Sequence, residues 1–399
     1  RYQRGQNPDE ARRLQWKSMS WLIELRKKLH QIPEIAFEEH HSSALLREQL
    51  NILVKNHLSP EAIRAGSVAP LVHGFENSSG FLVEYTCGDG PYRMFRADMD
   101  ALPVSEDTAC DFKSQRPGMM HACGHDIHMS VLMGLIDRVL REQPRRNLLF
   151  LFQPAEEGKG GAESVLAEGI LQQFHIEAVF ALHVASGLPV GTVSSRPGIF
   201  FGIPQEFDVR FLGKSAHVAF PEQGIDALAP ATDFIQMMRE DIAELSRRHR
   251  VIFHIGKIEG GSIRNVIADQ CILEGTHRSL VKEARDSMNR LIESNAHKAA
   301  VAYGAGHESD FLCSYDPVVN DAGLVSKLQS ACGRLGYRFE EAAVAMTGED
   351  FGFFTSIYPG LLFWLGSGCD QPLHSPRFLP AEECIEVGVN VMWALAEAE

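Results

Sequence analysis

The sequence predicts an α/β fold interrupted by a smaller inserted α+β unit, and three observations carry that prediction. Short apolar runs alternate with segments of helical period between residues 92 and 182, the pattern of a sheet covered on both faces by helices. The texture changes near 197–202 and returns after Pro317. The 399 residues, 45% hydrophobic and 23% charged, are long enough for two or three domains with large cores.

Taken in order, residues 1–20 are polar and read as a loose leader. Trp21, Leu25 and Leu29 share one helix face, and Pro33 ends that helix. A strand is expected over 92–97, a helix over 129–141, a strand over 148–152, a helix over 162–174 and a strand over 178–182. The inserted unit begins with a strand over 207–211 and a helix over 227–245. Strands around 251–258 and 271–276, a helix over 282–303 and a strand over 311–315 complete it. A helix over 321–335, a strand over 361–365 and a terminal helix from Pro380 restore the first texture. The expected division is therefore 1–20 leader, 21–199 and 316–399 as two parts of one catalytic domain, and 200–315 as the insertion.

Bulk properties exclude several classes. A net charge of -14 argues against nucleic acid as a partner, and the short basic run Arg247-Arg248-His249-Arg250 reads as a solvated helix end. No apolar run approaches the ~18 residues of a membrane span. Arg1, Arg4, Arg12, Arg13 and Lys17 precede no apolar segment, so no intact signal peptide is expected, and the absent initiator Met leaves processing or truncation open. Cys87, Cys110, Cys123, Cys271, Cys313, Cys332, Cys369 and Cys384 are scattered without a CxxC pair, which suits a reducing, cytoplasmic compartment.

The chemistry concentrates in Met120-His121-Ala122-Cys123-Gly124-His125-Asp126-Ile127-His128. Cys123 and His125, flanked by His121, Asp126 and His128, sit where a loop enters a helix, and a helix N-terminus favours the thiolate that binds metal. A buried free cysteine beside solvated histidines is the plainer alternative, and the density of metal-binding types weighs against it. Further polar groups fall just past apolar strands: Asp98 and Asp100, Glu156 and Glu157, His183 and, on a later loop, His374. Ligand crevices in open α/β sheets lie outside the carboxyl ends of strands, so Cys123, His125, Glu157, His183 and His374 could converge there as S, N and O ligands. In the adjacent pair, one glutamate can coordinate while the other accepts a proton from metal-bound water. Singly, each has an ordinary reading: solvated loop charge for the glutamates, a satisfied strand-end residue for His183, an exposed loop residue for His374. Nucleophilic catalysis by Cys123 is a competing idea, though no separate His/Asn pair is signalled.

His30-Gln31-Ile32-Pro33-Glu34, Arg96-Ala97-Asp98-Met99-Asp100-Ala101-Leu102-Pro103, the Met120–Asp126 run, Gln153-Pro154-Ala155-Glu156-Glu157-Gly158 and Gly348-Glu349-Asp350-Phe351 follow one another in order. Together they resemble the successive motifs of the amidohydrolase branch of the aminoacylase/carboxypeptidase-type dinuclear metallopeptidases, over nearly the whole chain from Trp21. The resemblance implies a dinuclear-metallopeptidase-like α/β catalytic domain with an inserted α+β lid/dimerisation domain, and a homodimer. It implies two divalent metal ions (Zn, Mn, Co or Ni) on Cys123, His125, Glu157, His183 and His374. Glu156 is then the general base and later the acid, Asp100 an orienter of the ligands, and Asp98 stands where relatives keep a histidine. His217, in Gly213-Lys214-Ser215-Ala216-His217, matches a residue that polarises the scissile carbonyl, often across a dimer interface. Asn265 and Arg278 match substrate-binding positions, and an arginine suits an α-carboxylate.

The implied substrate is a small N-acyl amino acid. The segment Ser215–Gly224 is similar to that of the subgroup that deacetylates N-acetyl-diaminopimelate, as are His254-Ile255-Gly256 and Leu273-Glu274-Gly275-Thr276. Hippurate or another N-acyl amino acid, or a dipeptide, is the alternative substrate. A binding protein with a vestigial site is the reading from a different class, against which the intact glutamate pair and ligand set weigh.

Overall fold

The structure, a computed structural model, describes the backbone of residues 8–398 and the side chains of 19–398. Two compact units result: Phe201–Val318 with Val344–Gly352 forms the smaller, and the rest of the chain the larger. The larger begins with α1 (Pro8–Gln31), α2 (His40–His57) and α3 (Pro60–Arg64). Strands β1 (Leu71–Gly74), β2 (Phe81–Tyr85) and β3 (Tyr92–Asp98) precede α4 (His125–Glu142), β4 (Asn147–Gln153), α5 (Glu156–Lys159) and α6 (Gly161–Ala167). Then come β5 (Ile176–Ala185), β6 (Thr192–Ser195) and β7 (Gly198–Phe201).

The smaller unit contributes β8 (Ile203–Leu212), α7 (Leu228–Leu245), β9 (Ile252–Gly260), β10 (Gln270–Ser279), α8 (Lys282–Tyr303) and β11 (Gly306–Ser314). After β12 (Val318–Asn320), the elements α9 (Ala322–Leu335), β13 (Arg338–Glu341), α10 (Gly352–Thr355), β14 (Gly360–Gly366) and α11 (Cys384–Glu397) close the chain.

At the centre of the larger unit lie β4, β3, β5 and β14, neighbours in that order and mutually parallel. Every residue of β4 is buried, as a strand covered on both faces requires, which is why it reads as a continuous apolar run. Phe95 stacks on Phe180 of the next strand with centroids 4.9 Å apart, and Phe81 on Phe152 at 4.6 Å. Cross-strand aromatic pairs of this kind stabilise the sheet by about 0.5–1.5 kcal/mol each beyond their burial. Helix α4 is almost entirely buried against this sheet and against α1 and α11. Gly134 permits the close approach, since a Cβ there would lie 2.6 Å from Val389 Cγ2 and 2.8 Å from Leu22 Cδ1.

In the smaller unit, β11, β8, β10 and β9 form an antiparallel sheet in that order. Phe207, Val209 and Phe211 alternate inward along β8 and pack with Phe234 and Met238 of α7 and Ile292 and Ala296 of α8.

Several expectations need correction. Of the polar leader, residues 1–7 lie outside the described residues, but α1 already runs through 8–20. Leu22, rather than Trp21, joins Leu25 and Leu29 on the buried face. The helix expected over 162–174 stops at Ala167, because Gly169 takes a left-handed φ of +76° and only a 3-10 turn follows at Leu171–Gln173. Residues 344–352, expected with the second catalytic part, pack with the smaller unit. Helix α4 begins at His125, one turn earlier than expected, so that His125, Asp126 and His128 are helical and Cys123 is not.

Candidate metal centre

Because β4, β3, β5 and β14 are adjacent and parallel, their carboxyl ends gather the chain's polar residues in one place. Asp98 ends β3 and Asp100 follows it; Glu156 and Glu157 come just after β4; His183 lies near the end of β5; His374 sits on the loop after β14. The N-terminus of α4 adds Cys123 and His125. Gly124 separates them at φ +83°, and a Cβ there would lie 2.4 Å from Val184 Cγ2. Only glycine both turns the chain and admits β5 at that point. The His374 backbone N–H donates to the Ala122 carbonyl at 2.9 Å, tying the two loops together.

The donor atoms converge. Cys123 Sγ lies 3.3 Å from His183 Nε2, His374 Nε2 lies 3.4 Å from Glu157 Oε1, and His125 Nε2 lies 3.9 Å from the same oxygen. Two triads, Cys123/His125/His183 and Cys123/Glu157/His374, each bring their donors within 4.8 Å of one another, and Cys123 belongs to both. The histidines are oriented for ligation. His125 Nδ1–H donates to the Asp100 carbonyl at 2.7 Å and His183 Nδ1–H to the Val184 carbonyl at 2.8 Å, so each Nε2 is directed at the cluster. Nε2 of His125 and Oε1 of Glu157 are buried without a hydrogen-bond partner, which suits a bound cation. The residues present therefore fit a pair of transition-metal ions, which these side chains would hold through sulfur, nitrogen and oxygen donors.

The electrostatics agree. Burial would lower the His125 pKa, but Asp98 and Asp100 outweigh it and push it up to about 10. Burial, followed by the charges of Glu157, Glu156 and Asp98, holds the Cys123 thiol well above its usual range. Burial, with neighbouring His128, holds His183 down at about 3 and so neutral. Although burial opposes it, His374 and His125 keep the Glu157 carboxyl below its usual value. A buried cluster of carboxylates around a reluctant thiol is one in which divalent charge is the missing counter-charge.

Asp100 braces the glutamates: its carboxylate accepts the backbone N–H of Glu156 at 3.1 Å and of Glu157 at 2.9 Å. Asp98 is engaged elsewhere, accepting from Arg96 Nη1 at 2.7 Å and from His128 Nδ1 at 2.6 Å, with Oδ2 3.8 Å from His125 Nε2. His128 also groups with Asp98 and His125 within 4.8 Å, but both its nitrogens are engaged, because its Nε2 accepts the Val184 N–H at 2.9 Å. Asp126 likewise faces away, bonded to Arg26 Nε and His30 Nδ1, both at 2.9 Å. His121 is buried, and burial drives its pKa down to about 3. Of the five side chains that drew attention in the 121–128 run, Cys123 and His125 alone belong to the two triads.

The support from Arg96 and His128 went unnoticed in the sequence. Arg96, the first residue of the Arg96–Pro103 motif, carried the available signal: a cation flanked by apolar Phe95 and Ala97 within a buried strand needs an anionic partner.

The other expected residues lie in the smaller unit. His217 and Asn265 are brought together there by the Val218 N–H to Asn265 carbonyl bond at 3.2 Å and a bridge between His217 and Val266. The Ala219 N–H donates to His217 Nδ1 at 3.1 Å, which places the ring proton on Nε2, free to donate. Arg278 lies on β10 with a buried Nη1 that has no hydrogen-bond partner.

Comparison with known proteins agrees with this architecture. The model of peptidase family M20/M25/M40 matches residues 94–398. The N-acetyldiaminopimelate deacetylase of Bacillus pumilus (strain SAFR-032) is 36% identical over 377 residues, covering 94% of this chain and 96% of that protein. The enzyme of the same name from Bacillus subtilis (strain 168) is 34% identical over 375 residues, covering 93% and 96%. Among solved structures, the Bacillus subtilis YXEP protein, described as a dinuclear metal binding peptidase from the M20 family, superposes with a TM-score of 0.79 at 30% identity. That match covers 95% of this chain and 98% of the other. With its strand ends, glutamate pair and shared thiol so arranged, the chain belongs to peptidase family M20/M25/M40.

Proposed function

We propose that this protein is a metal-dependent amidohydrolase that removes the acetyl group of N-acetyl-L,L-diaminopimelate. The single observation that carries the reading is the pair of donor triads sharing Cys123, with the buried glutamate Glu156 beside them. The names of the relatives, at 36% and 34% identity over most of the chain, support the choice of substrate. Cys123, His125, Glu157, His183 and His374 would hold two divalent ions of the Zn, Mn, Co or Ni class. When bound, these acidify a water molecule and polarise the scissile carbonyl. Glu156 accepts a proton from the attacking water and returns it to the leaving amine, so that amide and water become acetate and free amine. Asp100 holds the backbone of Glu156 and Glu157 in place during that exchange. His217, through Nε2–H, is assigned to the developing oxyanion, and Asn265 and Arg278 to the substrate's polar ends.

Acetate and amine release from N-acetyl-L,L-diaminopimelate, hippurate and one dipeptide, with protein reconstituted in Mn²⁺ or Zn²⁺, tests this. The first substrate is expected to be preferred. Preference for hippurate or the dipeptide would keep the hydrolytic site and discard the substrate, while silence on all three with metal bound would overturn the reading.

A homodimer in the cytoplasm is proposed with it. All eight cysteines stand as free thiols, the usage of a reducing compartment. Strand β9 ends the smaller sheet and exposes Ile252 and Ile258, an edge that a second copy would cover. No helix among the described residues is long and apolar enough to cross a membrane. Light scattering is expected to give the mass of two chains; the mass of one chain in the active protein would remove the dimer.

A further inference from the structure

Away from the centre described above, three other side chains converge within the larger unit. His30 is near the end of α1, and Glu106 and Cys110 are on the segment between β3 and α4; their donor atoms lie within 4.8 Å of one another. His30 Nε2 is 3.3 Å from Glu106 Oε1, and Cys110 Sγ is 3.6 Å from that same oxygen. A tetrahedral zinc ion with Zn–N and Zn–O bonds of about 2.0–2.1 Å and Zn–S of about 2.3 Å has N···O edges of ~3.3 Å and S···O edges of ~3.6 Å. Both spacings match.

The remaining atoms suit the same purpose. His30 Nδ1 donates to Asp126 Oδ2 at 2.9 Å, the carboxylate–histidine support that orients a ligating imidazole and raises its basicity. His30 and Glu106 are buried, with side chains 1% and 4% exposed, whereas Cys110 is only half-buried, so an ion has a route in from the thiol side. Glu106 is fixed by the Ser114 backbone N–H at 2.6 Å and by the Thr108 hydroxyl. That hydroxyl is also 3.3 Å from Cys110 Sγ.

We propose that His30, Glu106 and Cys110 form an accessory site for a thiophilic divalent cation of the zinc class. It shares no ligand with the dinuclear centre and is independent of the activity assigned above. Binding displaces two protons, one from His30 Nε2, where it now faces Glu106, and one from the Cys110 thiol, leaving one imidazole, one carboxylate and one thiolate on the ion. A thiolate ligand favours zinc over manganese or magnesium at this site. The site also adjoins the start of α4 and the loop that carries His374. Asp126 follows His125 directly. The Asp107 N–H donates to the Pro376 carbonyl at 2.8 Å and Arg377 Nε to Asp107 Oδ2 at 2.8 Å, a few residues past His374.

The test follows alkylation of Cys110 in the full chain by iodoacetamide and peptide mass spectrometry, with exposed Cys87 as the internal reference. Zn²⁺ at three equivalents per chain, two for the dinuclear centre and one for this site, is expected to slow Cys110 labelling by about tenfold or more, since a coordinated thiolate is withdrawn from the reagent, and to leave Cys87 unchanged. Glu106→Gln is expected to abolish the protection. Absence of protection in the wild type, or equal protection in Glu106→Gln, overturns the site. Should Glu106→Gln fail to fold, zinc bound per chain in Cys110→Ser decides: one ion fewer than wild type supports the site, and an equal count overturns it.

Discussion

Glu156→Ala is expected to lower kcat by about 10²–10⁴-fold, the contribution of a positioned general base, while bound metal stays at the wild-type level. Glu156 is buried at the start of α5, just past β4, and its backbone, not its carboxylate, is what Asp100 holds, so the substitution leaves the segment braced. The geometry also admits a different role. Glu156 forms a donor group with His125 and Glu157 whose atoms lie within 4.8 Å, which is close enough for ligation. Initial rates of acetate release and metal content measured on the same preparation separate the two. Loss of turnover with full metal content identifies the base, loss of both makes Glu156 a ligand, and full activity removes it from the mechanism.

His183→Ala has the second large effect, and it falls on metal binding. Loss of an outer residue that merely supports a ligand costs about 10–100-fold in metal affinity, so loss of a direct ligand is expected to cost more. His183 is held with Nε2 toward Cys123 Sγ by its Nδ1 bond to the Val184 carbonyl and by edge contact with Trp364, ring centroids 5.3 Å apart. Because the ring is buried, alanine also leaves a cavity, and thermal unfolding of the apo forms is the control for stability. Metal retained after dialysis against a graded chelator is the readout. Asp100→Asn, which weakens the brace on Glu156 and Glu157 and removes a charge 3.4 Å from His125 Nδ1, is expected to lie between the wild type and His183→Ala. Equal retention by His183→Ala and wild type would take His183 out of the ligand set.

Much of this arrangement was legible in the order of residues. The apolar runs that became β3, β4, β5 and β14 announced themselves because strands buried on both faces have no polar side to show. The glutamate pair and His374 stood just past such strands, and His183 near the end of one, where an open parallel sheet exposes its ligand-binding edge. Cys123 and His125 stood out because no structural demand calls for a thiol and an imidazole on either side of a glycine.

What the residues could not declare was direction. His125 and His128 are three apart at the start of α4, on the same side of the helix, with ring centroids 5.3 Å apart, and local spacing treats them alike. They differ because Asp98, from β3, and the Val184 N–H, from β5, occupy both nitrogens of His128, while His125 is bonded at Nδ1 alone. Asp126 is drawn away from the centre by Arg26 and His30, 100 and 96 residues distant along the chain. The return of 344–352 to the smaller unit is equally non-local. By itself, then, the sequence determined which donors exist and which strand ends present them, since those follow from burial and short-range periodicity. Only the tertiary structure decided which donors face the metals, because a buried polar side chain turns toward whichever partner the fold brings to it, and here those partners come from other strands and helices.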